Sequence, residues 1–135
     1  MTPTDANLHA VIQRHWALAN ARDWDAFARL LHPGLVYEVP QTRERSVGAE
    51  GYLDLFRTWP QPWRADVQRL VADGHTAVCQ IDFVAGDAHM TGIGFFDVTD
   101  GLISRVTDWW PEPYDPPPRL TPHLVRVGPG AGPSP

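Results

Sequence analysis

An acid at position 108 stands directly before two tryptophans, in the run Thr107-Asp108-Trp109-Trp110. Burial against that much aromatic surface disfavours the charged carboxylate and raises its pKa, which suits the group to carry a proton near neutral pH. On the wet face of a strand the same acid would be an ordinary surface carboxylate, and this stretch alone supports both readings. His15 falls on the apolar stripe of a helix and offers either a proton relay to Asp108 or a histidine hydrogen-bonded at the core edge. His89, at a strand start, offers a group at a pocket rim or a plain surface residue. His32, before Pro33, reads as structural. Arg43-Glu44-Arg45 form a charged cluster that is either a solvated loop or a lid whose arginine meets an acidic substrate group. Cys79 lies alone in an apolar strand and reads as a buried, inert thiol. The histidines show no close ligand spacing, so no metal site is expected. Neither a Gly-rich phosphate loop nor a serine nucleophile motif is present.

Length and charge narrow the classes. The chain has 135 residues, 43% of them hydrophobic, and a net charge of −5, which fits one domain with a real core. An acidic chain without a basic patch argues against a nucleic-acid or anionic-membrane partner. All 11 basic residues are arginine, so Schiff-base lysine chemistry is excluded. The N-terminus is polar and amphipathic, and no apolar run is long enough to span a bilayer. These features predict a soluble cytoplasmic protein.

Periodicity supplies the elements that must position these groups. Leu8, Val11, Ile12, His15, Trp16 and Ala19 recur at helical spacing, with Thr4 or Asp5 as cap. Arg22-Asp23 breaks that helix, and Asp23 caps a second from Trp24 to Leu31, ended by His32-Pro33-Gly34. Leu35 to Val39 is a short strand, and residues 41–47 read as a charged loop. Ser46 can cap a third helix from about Ala49 to Trp59. The period then becomes alternating. Ala65–Ala72, Thr76–Ala85, Ala88–Val98 and Leu102–Trp110 read as four strands of an antiparallel meander, joined at Asp73-Gly74, Gly86-Asp87 and Asp100-Gly101, where glycine suits a tight hairpin. Residues 1–112 form the domain. Residues 113–135 are rich in proline and glycine and read as an extended arm and a disordered tail.

Three stretches, His15 to Pro40, Ser46 to Phe56 and Phe95 to Trp110, resemble the SnoaL-like branch of the nuclear transport factor 2-like superfamily. The resemblance implies an α+β cone: three N-terminal helices packed on a curved antiparallel sheet around an apolar cavity. Matched against the ketosteroid isomerases, the oxyanion tyrosine falls on His15, the general-base aspartate on Val39 and the second aspartate on Ile93. All three have changed, so that isomerase mechanism is not implied. The match still orients side chains. It places Val106, Asp108 and Trp110 on the cavity face; by alternation His89, Thr91 and Phe95 share the inward face of Ile93, and Tyr37 shares that of Val39. Glu38 would point the other way.

Related polyketide cyclases and limonene-type epoxide hydrolases place a catalytic aspartate five residues after the isoleucine of the late turn, which here is Asp108 after Ile103. The hydrolases add an arginine and a second acid, for which Gln80 and Asp82 are the nearest counterparts. The cyclases' histidine would fall on Val106. The resemblance therefore implies a cofactor-independent, cyclase-type enzyme that acts on a small apolar or polycyclic carbonyl compound. Asp108 would act as acid and base, assisted by His15, with Trp16, Tyr37, Phe56, Phe95 and Trp110 shaping the cavity. The alternatives are a non-catalytic small-molecule binding or accessory protein and hydrolase-like water activation. Superfamily members pair through the open sheet face, where Arg105 and Trp109 would lie, so a homodimer is expected.

Overall fold

The computed structural model describes residues 3–128. Helix α1 (Pro3–Ala21) ends at Arg22, which adopts a left-handed φ of 61°. There the Asp23 amide donates to Leu18 O and the Arg22 amide to Ala19 O, closing the helix end. The expected cap at Thr4 or Asp5 falls on side chains outside those described. Asp23 does cap α2 (Trp24–Ala28), accepting from the Ala26 amide at 3.3 Å. That helix is shorter than the sequence suggests, because β1 (Leu31–Val39) begins at once and carries His32-Pro33-Gly34 within it.

Two further elements depart from expectation. Residues 44–47 form an edge strand, β2 (Glu44–Val47), antiparallel to β1. Its charged sequence suits an unpaired sheet edge and so hides strand character. Ser46 is therefore a strand residue, and α3 (Ala49–Arg57) starts after Gly48 with no side-chain cap. The meander follows as β3 (Trp63–Asp73), β4 (Thr76–Ala85), β5 (Ala88–Thr99) and β6 (Leu102–Trp109), with no helix among them. At the last hairpin Asp100 and Gly101 both have positive φ, 53° and 79°, as a type I′ turn requires.

The six strands run β2-β1-β6-β5-β4-β3. The sheet is mixed, because β1 pairs parallel to β6. Helices α1 and α3 pack on its inner face, and Ile12, Phe27, Leu35, Tyr52, Phe96 and Ile103 are sealed between the layers. This is the α+β architecture that the sequence suggests. Beyond β6 the arm has no helix or strand through residue 127, and Tyr114 is 80% exposed. Asp115 and Arg126 pair within it at 3.0 Å. The expected disordered end lies mostly outside the described residues. Among the described residues no helix is long and apolar enough to cross a membrane.

Candidate functional site

Strands β1 and β6 lie side by side, and their inward positions carry Tyr37, Val39, Val106 and Asp108. Asp108 is only 9% exposed. The Tyr37 hydroxyl donates to Asp108 Oδ2 at 2.7 Å. Burial pushes the Asp108 carboxyl up to about 6, and the Tyr37 hydrogen bond holds that rise back. The Tyr37 phenol is itself driven well above its ordinary value by burial and by the neighbouring Asp108 charge. It therefore stays protonated and remains a donor.

This pair stands in a cavity of about 370 Å³. Trp16 of α1, Phe56 of α3, Trp59, and Trp63 and Phe83 of β3 and β4 make aromatic walls, completed by Trp110 and Met90. Phe83 stacks on Trp63 at 5.4 Å and meets Trp59 and Trp110 edge-on at 5.3 and 5.5 Å. Thr42 and Glu44 supply the polar remainder, with Thr42 Oγ1 donating to Glu44 at 2.5 Å. Gln41 fastens Trp110 in place: its amide donates to the Trp110 carbonyl at 2.9 Å, and the Trp110 amide donates back to it.

Among the residues singled out by sequence, Trp16, Tyr37, Val39, Phe56, Asp108 and Trp110 line this cavity. Val106 is fully buried on the same sheet face beneath it. The face assigned to β5 is reversed. Met90, Gly92, Gly94 and Phe96 point inward, whereas His89, Thr91, Ile93 and Phe95 lie on the outer face, Phe95 at 43% exposure. Two inward positions are glycine, so the bulky apolar residues of Gly92-Ile93-Gly94-Phe95 mark the wrong face. A bulge adds to the difficulty: Asp97 pairs with Arg105 but Val98 with Ile103, which leaves Ser104 as an extra residue in β6.

His15 is not placed to relay a proton to Asp108 through the cavity. It is fully buried, and its Nε2 meets the Tyr52 hydroxyl at 2.6 Å. Rings of Trp16, Phe27 and Phe96 surround it at 4.4, 4.9 and 5.3 Å. Desolvation drops its pKa to about 3, so the imidazole is neutral. It does not line the cavity. Tyr52 stands between, its ring 5.1 Å from that of Tyr37.

Asp82 sits between the buried Ile81 and Phe83 and opposite Thr91, on the outer face, so it does not join Asp108 as a second acid. Gln80 shares that outer face. Glu38 is also outside, bonded to Arg105 and near Arg45. Within the Arg43-Glu44-Arg45 cluster, Glu44 rather than an arginine reaches the cavity. Sequence reasoning missed Glu44, Gln41, Trp59, Trp63 and Phe83 as site residues. Phe83 had a signal, since it alternates with Ile81 in β4; Gln41 had none.

A cavity held between a curved mixed sheet and helices laid on its inner face defines the nuclear transport factor 2-like superfamily. Within it the chain belongs to the SnoaL-like domain family, which matches residues 12–106. Asp108 lies just past that span, so its standing rests on geometry. A candidate ketosteroid isomerase of Kribbella flavida is 39% identical and superposes with a TM-score of 0.87 over 96% of both chains. An LEH-like epoxide hydrolase of M. tuberculosis shares the fold at 21% identity and a TM-score of 0.69, covering 81% of this chain and 86% of its own. A candidate polyketide cyclase of Sinorhizobium meliloti does so at 18% and 0.66, covering 73% and 93%. No curated protein is detectably similar to the chain.

Proposed function

We propose that the protein is a cofactor-independent, SnoaL-like enzyme that acts on a small apolar carbonyl compound by general acid/base chemistry at Asp108. The observation that carries this reading is a carboxyl group buried in an aromatic cavity, with its pKa raised to about 6. Such a group can take a proton from carbon α to a carbonyl and return it at another position near neutral pH. Tyr37 orients the carboxylate through its hydroxyl. Cyclisation by aldol-type addition and double-bond migration both begin with this proton abstraction.

The test is solvent deuterium exchange into a panel of small cyclic ketones, followed by NMR. Exchange should be catalysed by the native protein and fall roughly 10²–10⁴-fold in Asp108→Asn. The sealing of His15 behind Tyr52 favours a second reading, a binding protein in which no further group assists Asp108. Ligand binding without exchange by any ketone would support it. The outer sheet face, where Phe95 and Trp109 are 43% and 40% exposed, supports a homodimer, which light scattering on the eluting protein would establish or exclude.

A further inference from the structure

The chemistry of the cavity walls suggests which molecules would enter. Among the described residues three titratable side chains line it, Tyr37, Glu44 and Asp108, and every one is an acid or a phenol. No arginine or histidine among the described residues contributes to the lining. His15 is sealed away and held neutral by its surroundings, and Arg22, which lies 4.0 Å over the Trp63 ring, directs its guanidinium to the Ala19 and Trp63 carbonyls rather than to either carboxylate. Arg45 and Arg105 are drawn to Glu38 on the opposite face of the sheet. The partners of the two carboxylates in the cavity are uncharged: Tyr37 for Asp108 and Thr42 for Glu44. Both acids act on the same phenol, since each raises the Tyr37 pKa.

A carboxylate taken out of water and left without a cation is destabilising, and a cation brought to it is correspondingly favoured. The aromatic walls act in the same direction. The π faces of tryptophan attract positive charge, most strongly where water is excluded. Trp63 is taken up by Phe83 and Arg22, but Trp59 and Trp110, which meet Phe83 edge-on, line the same cavity as the carboxylates.

We infer that the substrate of this cavity is an organic cation: a small ring-bearing carbonyl compound that also carries an amine or quaternary ammonium group. Its charge lies in the field of Asp108 and Glu44, and its rings pack against the tryptophans. This deepens the reading given above and rests on it, because it takes the Asp108 cavity as the ligand site. It reverses the expectation of a basic lid for acidic substrates, since Glu44 is the member of that cluster that reaches the cavity. A positive charge beside Asp108 also favours the ionised carboxylate, the form that abstracts a proton.

The experiment compares three ligands of matched shape, naphthylethylamine, naphthylethanol and naphthylpropionate, by calorimetry at low salt and a pH of about 7.5, where the amine is charged. The amine should bind ~10-fold or more tightly than the alcohol, and the propionate more weakly than both. Glu44→Gln, at an exposed position, and Asp108→Asn, which keeps the shape, should each weaken the amine several-fold and leave the alcohol unchanged or tighter. An alcohol that binds as well as the amine overturns the cation assignment. So does an amine affinity indifferent to both substitutions. In either case the Asp108 chemistry stands or falls separately on ketone exchange. If none of the three binds, the assignment fails together with the view of the cavity as a ligand site.

Discussion

Gly94 lies directly opposite Asp108 in the β5–β6 ladder, and a methyl group placed on it would come within 2.9 Å of Asp108 Oδ1. The same position meets the Phe96 ring at 3.0 Å. The carboxylate thus occupies space that the absence of a side chain leaves open. Gly94→Ala should destabilise the fold by about 1–3 kcal/mol, the usual cost of overpacking, and displace the carboxylate from Tyr37. Urea unfolding and a crystal structure of the variant would check both effects.

Tyr37→Phe removes the hydrogen bond that lowers the Asp108 pKa. The carboxyl should then titrate above its present value of about 6. The readout is the carboxyl carbon shift of Asp108 against pH in labelled protein. An unchanged or lower midpoint would show that the hydroxyl does not bond the charged form.

These two predictions depend on side-chain direction, and direction was only partly legible in the sequence. The helices, the meander and its glycine turns could be read because their periodicity and turn chemistry are local. Asp108 and Trp110 could be placed because the alternation runs cleanly through β6 beyond its bulge, and Tyr37 because it alternates with Val39 in β1. The β5 face could not, because glycine gives no hydrophobic signal at Gly92 and Gly94. Their emptiness is nevertheless what admits Trp110 and Asp108: a methyl at Gly92 would lie 2.9 Å from the Trp110 ring. The parallel pairing of β1 with β6 joins residues remote in sequence, and no local pattern announces it.

Two buried groups should impose opposite pH dependences on stability. The Asp108 pKa is raised in the fold, so its contribution is full below pH about 4 and is lost as pH rises through about 6. The His15 pKa is lowered, so its contribution is full above pH about 6.5 and is lost as pH falls towards 3. Between pH about 4 and 6 the two slopes oppose each other. Asp108→Asn removes one of them. Relative to the native protein, the variant should gain about 3 kcal/mol between pH 4 and pH 7, from the two-unit shift of the carboxyl. Paired denaturant titrations across that range provide the comparison, and a constant difference would contradict burial of the charge.

Cys79 is 1% exposed, and burial pushes its thiol up to about 11. Both effects withhold the reactive thiolate. Ellman's reagent should leave the folded protein unmodified and react with one thiol per chain in denaturant. Rapid labelling under native conditions would show that the sheet opens at β4.

The hydrogen bond between Tyr37 and Asp108 joins residues 71 positions apart, across the one parallel pairing in the sheet. Hairpins β3–β4, β4–β5 and β5–β6 can each zip from their own turns. Bringing β1 alongside β6 instead closes a long loop, whose entropy must be met before any contact rewards it. During synthesis Tyr37 leaves the ribosome long before its acceptor exists. The acid–phenol pair thus forms only once β6 is made and β1 has closed on it, and a chain halted within β6 before residue 108 can carry the β3–β4 and β4–β5 hairpins without the carboxyl group of the cavity.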